Sequence, residues 1–185
     1  VPVINLSSVV AERDREYMKE VIKSQYYASL GMLREAIIKC PPHLWNSGDD
    51  KNKFWHISYH LLFYTHFYLQ VSENQFIPWS KHREFHQFLG SVPWPPHTIP
   101  EIGEPYNKEE ILEYLDLCKR EVEEKVSSLD LNSESGFYWL PFTKLELQFY
   151  NIRHIQHHTG ALYERLRRSE NIGIGWIAAK SGSSV

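Results

Sequence analysis

A chain of 185 residues carrying a net charge of −3 is long enough for one sizeable core and has no excess of either charge sign. That balance excludes a basic nucleic-acid binder and a polybasic membrane-surface protein. No run reaches the roughly 18 apolar residues of a membrane span, and no basic segment followed by an apolar one opens the chain. The expectation is one cytoplasmic domain over residues 1–185, with neither nucleic acid nor membrane as partner. Cys40 and Cys118 sit in no metal or redox spacing and read as reduced core thiols. Gly-rich phosphate loops, dinucleotide fingerprints and fixed-period repeats are missing, which argues against a nucleotide-driven enzyme.

The first helix is expected from residue 7 or 8 to about 39, because Ile22, Tyr26, Ser29 or Leu30, Leu33 and Ile37 recur at helical spacing. Pro41 and Pro42 stop it, and residues 45–50 read as a loop around Gly48. A second helix over about 52–71 is apolar nearly all round, the pattern of a helix surrounded by protein. Asn52, His66 and Gln70 form its narrow polar strip, with His56 near the edge and His60 deeper, beside Tyr64, Phe67 and Val71.

Residues 72–106 are rich in proline and suggest a stiff connection wrapped over a site, with one short helix over 80–89 and with Trp79 and Trp94 packed over an end of the fold. His82 and His86 have helical metal spacing within it, but a short polar helix favours a solvated face. Asn107-Lys108-Glu109-Glu110 has the form of a capping box opening a third helix, whose apolar stripe is Ile111, Leu115, Cys118, Val122 and Val126. A second loop, 128–142, contains Gly136, Phe137, Tyr138 and Trp139, residues suited to shaping an opening near a site.

Thr143-Lys144-Leu145-Glu146 repeats the capping pattern and starts the last long helix, which ends near Arg165, Arg167 and Arg168. Glu146, Arg153, His157, Gly160 and Glu164 share its water face. His154 and His158 continue a row with Leu147, Tyr150 and Ala161, and Leu145, Phe149, Ile152, Leu162 and Leu166 form a second apolar row. Residues i and i+4 lie one turn apart on one side of a helix, so both imidazoles can converge on one ion. A buried imidazole without a partner costs on the order of 1–3 kcal/mol. His43, His66, His82, His86, His97 and His157 are expected on the surface or in loops, and the last residues, about 177–185, as a flexible tail.

Four long apolar-striped helices predict an all-α, up-and-down four-helix bundle with long loops, the architecture whose facing helices build metal sites. His60, with His56 as the alternative or a hydrogen-bonding neighbour, would join His154 and His158. Three neutral imidazoles leave positions open for water or substrate. Imidazole suits Zn, Ni, Fe or Cu, so the donor set does not name the divalent transition metal.

The order of helices, the helix-two histidine and the late His154-Ile155-Gln156-His157-His158-Thr159-Gly160-Ala161 resemble the DinB-like superfamily. Its common late pattern is His-x-x-x-His-Arg-Gly-Gln; the chain keeps both histidines and the glycine and departs at Thr159 and Ala161. Trp55-His56-Ile57-Ser58-Tyr59-His60-Leu61-Leu62-Phe63 is similar, with one inserted residue, to the Trp-His-Leu-Ala-His-Thr-Thr-Trp-Phe of related domains in ergothioneine-type sulfoxide synthases. The resemblance implies a metal-binding bundle related to bacterial metal-dependent thiol transferases, which join a low-molecular-weight thiol to an electrophile, and to isomerases. A metal-dependent transferase or hydrolase acting on a small molecule, with Tyr64, Tyr150 or Glu146 as candidate assisting residues, is the first functional expectation. A non-catalytic metal-binding or sensing bundle, working as a homodimer, is the second. A purely structural helical protein is the third.

Overall fold

The computed structural model describes residues 6–46 and 50–179. Most of the expected tail falls within positions 180–185, which lie outside the described residues. The fold is all-helical: α1 (Leu6–Lys39), α2 (Pro42–Trp45), α3 (Phe54–Tyr68), α4 (Lys108–Ser128) and α5 (Lys144–Glu170), with a 3-10 turn at Glu73–Gln75 and no strand among the described residues. Helix α1 packs on α4 and α5, and α3 packs on the same two from the other side. None of these helices is long and apolar enough to cross a membrane.

Each boundary has a local cause. Proline cannot continue α1, so the chain turns at Pro41 and Pro42 opens the short α2 at its first helical position. Helix α2 lies between the proline stop and the expected loop over 45–50, meeting that loop at Trp45, which anchors the helix by donating to the Tyr106 carbonyl at 2.8 Å. Helix α4 opens on a complete capping box between Asn107 and Glu110. At α5 the Thr143 hydroxyl accepts from the Glu146 amide, and Asn171, in the left-handed region at φ 54°, closes the other end.

The core takes the anticipated faces of α1 and α4: Ile22, Tyr26, Leu30, Leu33 and Ile37 face Ile111, Leu115, Cys118, Val122 and Val126, all buried. Burying each large aliphatic side chain contributes roughly 1.5–3 kcal/mol. Cys40 and Cys118 are buried free thiols. Every residue of α3 except His60 and Tyr64 is buried, because α4, α5 and the following loop cover it. His66 and Gln70, expected on an outward polar strip, are therefore interior. Gln70 donates to the Glu121 carboxylate at 3.0 Å, and His66 Nδ1 lies 3.3 Å from the Tyr114 hydroxyl.

Helix α5 is rotated from its expected setting. Its water face is as read, but the buried centre is Leu147, Gln148, Asn151, Ile155, Thr159, Leu162 and Leu166, while Phe149 and Ala161 are exposed. Polar side chains hold this seam: the Tyr26 hydroxyl donates to Gln148 at 2.9 Å, and Asn151 donates to the Thr65 carbonyl at 3.1 Å.

The expected helix over 80–89 is a series of turns instead. Its carbonyls are engaged by side chains of α3 rather than by a helical ladder: His86 O meets His56 Nε2 at 3.0 Å, and Gln87 O meets His60 Nδ1 at 2.7 Å. Trp79 packs against Tyr114 with ring centroids 4.6 Å apart, whereas Trp94 is half exposed against Phe88. In the second loop Gly136 has φ 82°, and a Cβ there would lie 2.0 Å from the Val71 carbonyl oxygen, so only glycine fits.

Candidate metal centre

Helices α3 and α5 bring His60, His154 and His158 to one point, with one ring nitrogen from each within 4.8 Å of the others. Their ring centroids form a near-equilateral triangle: 5.1 Å from His60 to His154, 4.7 Å from His60 to His158 and 4.7 Å from His154 to His158. Two corners follow from one helical turn of α5; the third depends on how α3 packs against it.

The protonation of His60 follows from its partner. A carbonyl oxygen only accepts, so Gln87 O takes the Nδ1–H of His60 and leaves the Nε2 lone pair facing the cluster. That Nε2 lies 3.2 Å from His154 Nε2. Two nitrogens bound at about 2.0–2.1 Å with tetrahedral angles sit about 3.3 Å apart, so this pair already has ligand spacing. Fixing one ring nitrogen with a backbone carbonyl is also how proteins orient metal-bound histidines.

His154 is not a satisfied core histidine. Its Nδ1 is buried with no hydrogen-bond partner, and Nε2 meets only another imidazole. In neither neutral tautomer does protein alone complete the ring's bonding, which argues against a self-sufficient polar core. Thr159 Oγ1, one helical step from His158, is likewise buried without a partner.

Burial keeps all three rings neutral, the form that binds metal. It pushes His60 well below the ordinary histidine value, His154 down to about 3 and His158 down to about 4. The charges that act on these rings, after burial, are other histidines; no carboxylate is among them.

The remaining histidines are placed elsewhere. His56 is buried, bonded to the His86 carbonyl, and stacked on Trp55 at 4.9 Å, so it lies outside the trio. His86 is buried between the carbonyls of Glu84 and Glu104, and His82 Nδ1 meets the Tyr59 hydroxyl at 2.6 Å. His66 and His86 are thus interior rather than surface residues, and the His82–His86 spacing belongs to no helix. His157 is exposed beside His158, and His43 reaches Glu170 at 2.8 Å.

On α5 an opening reaches one member of the trio, His154. A cavity of about 200 Å³ is lined by Tyr150, Arg153, His154 and His157. The Phe137–Trp139 loop does not form this opening: Phe137 is buried against Phe67 and Tyr68, and its neighbours line a separate cavity of about 670 Å³. Tyr64 packs edge-on against His60 and His154, at 4.9 and 5.7 Å. Comparison with known proteins finds no matching family model, curated sequence or solved structure. The metal-site reading therefore stands on the site's own atoms. Sequence reasoning missed Gln87, because its contribution is a backbone carbonyl from a loop and no side-chain pattern marks it.

Proposed function

We propose that the chain binds one divalent transition metal ion, Zn, Ni or Fe, through His60, His154 and His158, and that it is a metal-dependent transferase or hydrolase of the DinB-like type. The observation that carries this reading is the triangle of neutral imidazoles with the His60 lone pair turned inward by Gln87. The four long helices, each packed on two others in a closed cycle, support a four-helix bundle as the frame.

A divalent ion held by three neutral donors with a position open lowers the pKa of a bound water or thiol toward neutrality and so supplies a nucleophile. The chain's own contribution is to fix the His60 tautomer, to keep His154 and His158 unprotonated by burial, and to narrow access to the gap between Tyr150, Arg153 and His157. A low-molecular-weight thiol is the substrate class we favour, on the resemblance in the two histidine motifs.

The test is metal analysis after chelation and re-addition, followed by turnover assays of the loaded protein with thiol–electrophile pairs and with small hydrolysable esters and amides. One bound equivalent and turnover of any pair support the reading. Absence of stoichiometric metal defeats it. The narrowness of the cavity favours one second reading, a non-catalytic metal-binding bundle acting as a homodimer, which predicts one bound equivalent with no turnover.

A further inference from the structure

The cavity at His154 adjoins a second one of about 410 Å³, lined by Phe142, Glu146, Phe149, Tyr150 and Arg153. Tyr150 and Arg153 are common to both, so the two form one trough running along α5 away from the histidines. The inner part is below the roughly 300–1,000 Å³ of ordinary ligand pockets and admits only a small head group. The body of any ligand must lie in the outer part. There the walls are aromatic: Phe142 and Tyr150 have ring centroids 5.8 Å apart, and Phe149 is 56% exposed with nothing covering it.

Charge along the trough is polarised. The inner part has no carboxylate and is bordered by Arg153, which stands 5.6 Å from the Tyr150 ring and makes no ion pair among the described residues. Glu146 lines the outer part, seven residues before Arg153. Seven residues are about 10.5 Å along a helix, which sets Glu146 toward the end of the outer part away from His154, while Arg153 lines both parts. A cation held by three neutral imidazoles keeps its full charge, and no acidic side chain beside it offsets that charge.

Resting on the metal-site reading above, the geometry points to an organic monoanion as the ligand of this trough: a carboxylate beside His154 and Arg153, joined to a flat apolar body lying on Tyr150, Phe142 and Phe149. Arg153 is a specificity-determining residue for the carboxylate, and Glu146 disfavours a second negative charge at the far end.

The probe is benzoate, with benzamide and acetate as controls, titrated into the full chain loaded with cobalt(II) and followed by calorimetry and by the visible spectrum of the ion. Benzoate is expected to bind and to shift the spectrum, with benzamide and acetate clearly weaker. Arg153→Gln, a change at an exposed position, is expected to weaken benzoate by about 10- to 100-fold, the loss of a hydrogen bond to a charged group, while cobalt uptake is unchanged. Benzoate affinity unaltered in Arg153→Gln, with cobalt bound, overturns the inference and leaves the metal site intact. Benzamide as strong as benzoate overturns the charge requirement, and acetate as strong overturns the aromatic body. Failure to take up cobalt at all removes both this inference and the metal-site reading.

Discussion

Replacing His154 with alanine separates a metal site from a polar core. A ligand that binds only the folded state stabilises it by RT ln(1 + [L]/Kd), about 2.7 kcal/mol at one hundred times Kd. For a domain of this size each kcal/mol moves the melting temperature by about 2–4 °C, so saturating zinc should raise it by about 5–11 °C. Removing even an outer partner of a metal ligand costs about 10- to 100-fold in affinity, and removing a ligand should cost at least the upper figure. At the same zinc concentration His154→Ala then sits near or below its Kd, which leaves at most about 0.4 kcal/mol, a shift of about 2 °C or less. His157→Ala, on the same helix but exposed and outside the trio, should keep the full shift. The assay is thermal unfolding of metal-stripped protein with and without zinc, repeated with nickel and, without oxygen, with iron(II). Equal shifts in wild type and His154→Ala, or no shift with any metal, would refute the reasoning.

The stability of metal-free protein should fall as the pH drops below about 6.5 toward 4. The folded state holds His60, His154 and His158 neutral by burial while the unfolded chain takes up protons, so each ring costs at most about 1.4 kcal/mol per pH unit across that window. Urea unfolding at pH 5 and 7 measures this, and a slope unaltered in His154→Phe would assign the protons to other groups. Gly136→Ala should destabilise by at least about 1–3 kcal/mol, since a Cβ would collide with the Val71 carbonyl in a backbone conformation at φ 82°; a wild-type denaturation midpoint would contradict the placement of that turn. Asn107→Ala removes the amide acceptor of the α4 capping box and should cost about 1 kcal/mol, within a range of roughly 0.5–2, in the same experiment. No loss there would mean that the cap is replaced by solvent.

The sequence by itself located the long helices, the α4 capping box and the Thr143 cap of α5, because apolar recurrence and Asn/Thr-x-x-Glu are local features that act within a few residues. It also singled out His154 and His158, whose proximity follows from one turn of α5. Tertiary structure alone decided the rest. The rotation of α5 rests on Gln148 and Asn151, polar residues that a count of apolar positions sends outward but that distant partners, Tyr26 and the Thr65 carbonyl, hold inside. His66 is interior for the same reason, covered by Tyr114 from a helix that follows a long loop. Helical position already favoured His60 over His56; the packing of α3 on α5 brings His60 Nε2 to 3.2 Å from His154 while His56 turns to the His86 carbonyl, and the Gln87 carbonyl fixes the His60 tautomer. A carbonyl is common to every residue and leaves no trace in the side-chain pattern, so only the folded path of residues 69–107 could reveal it.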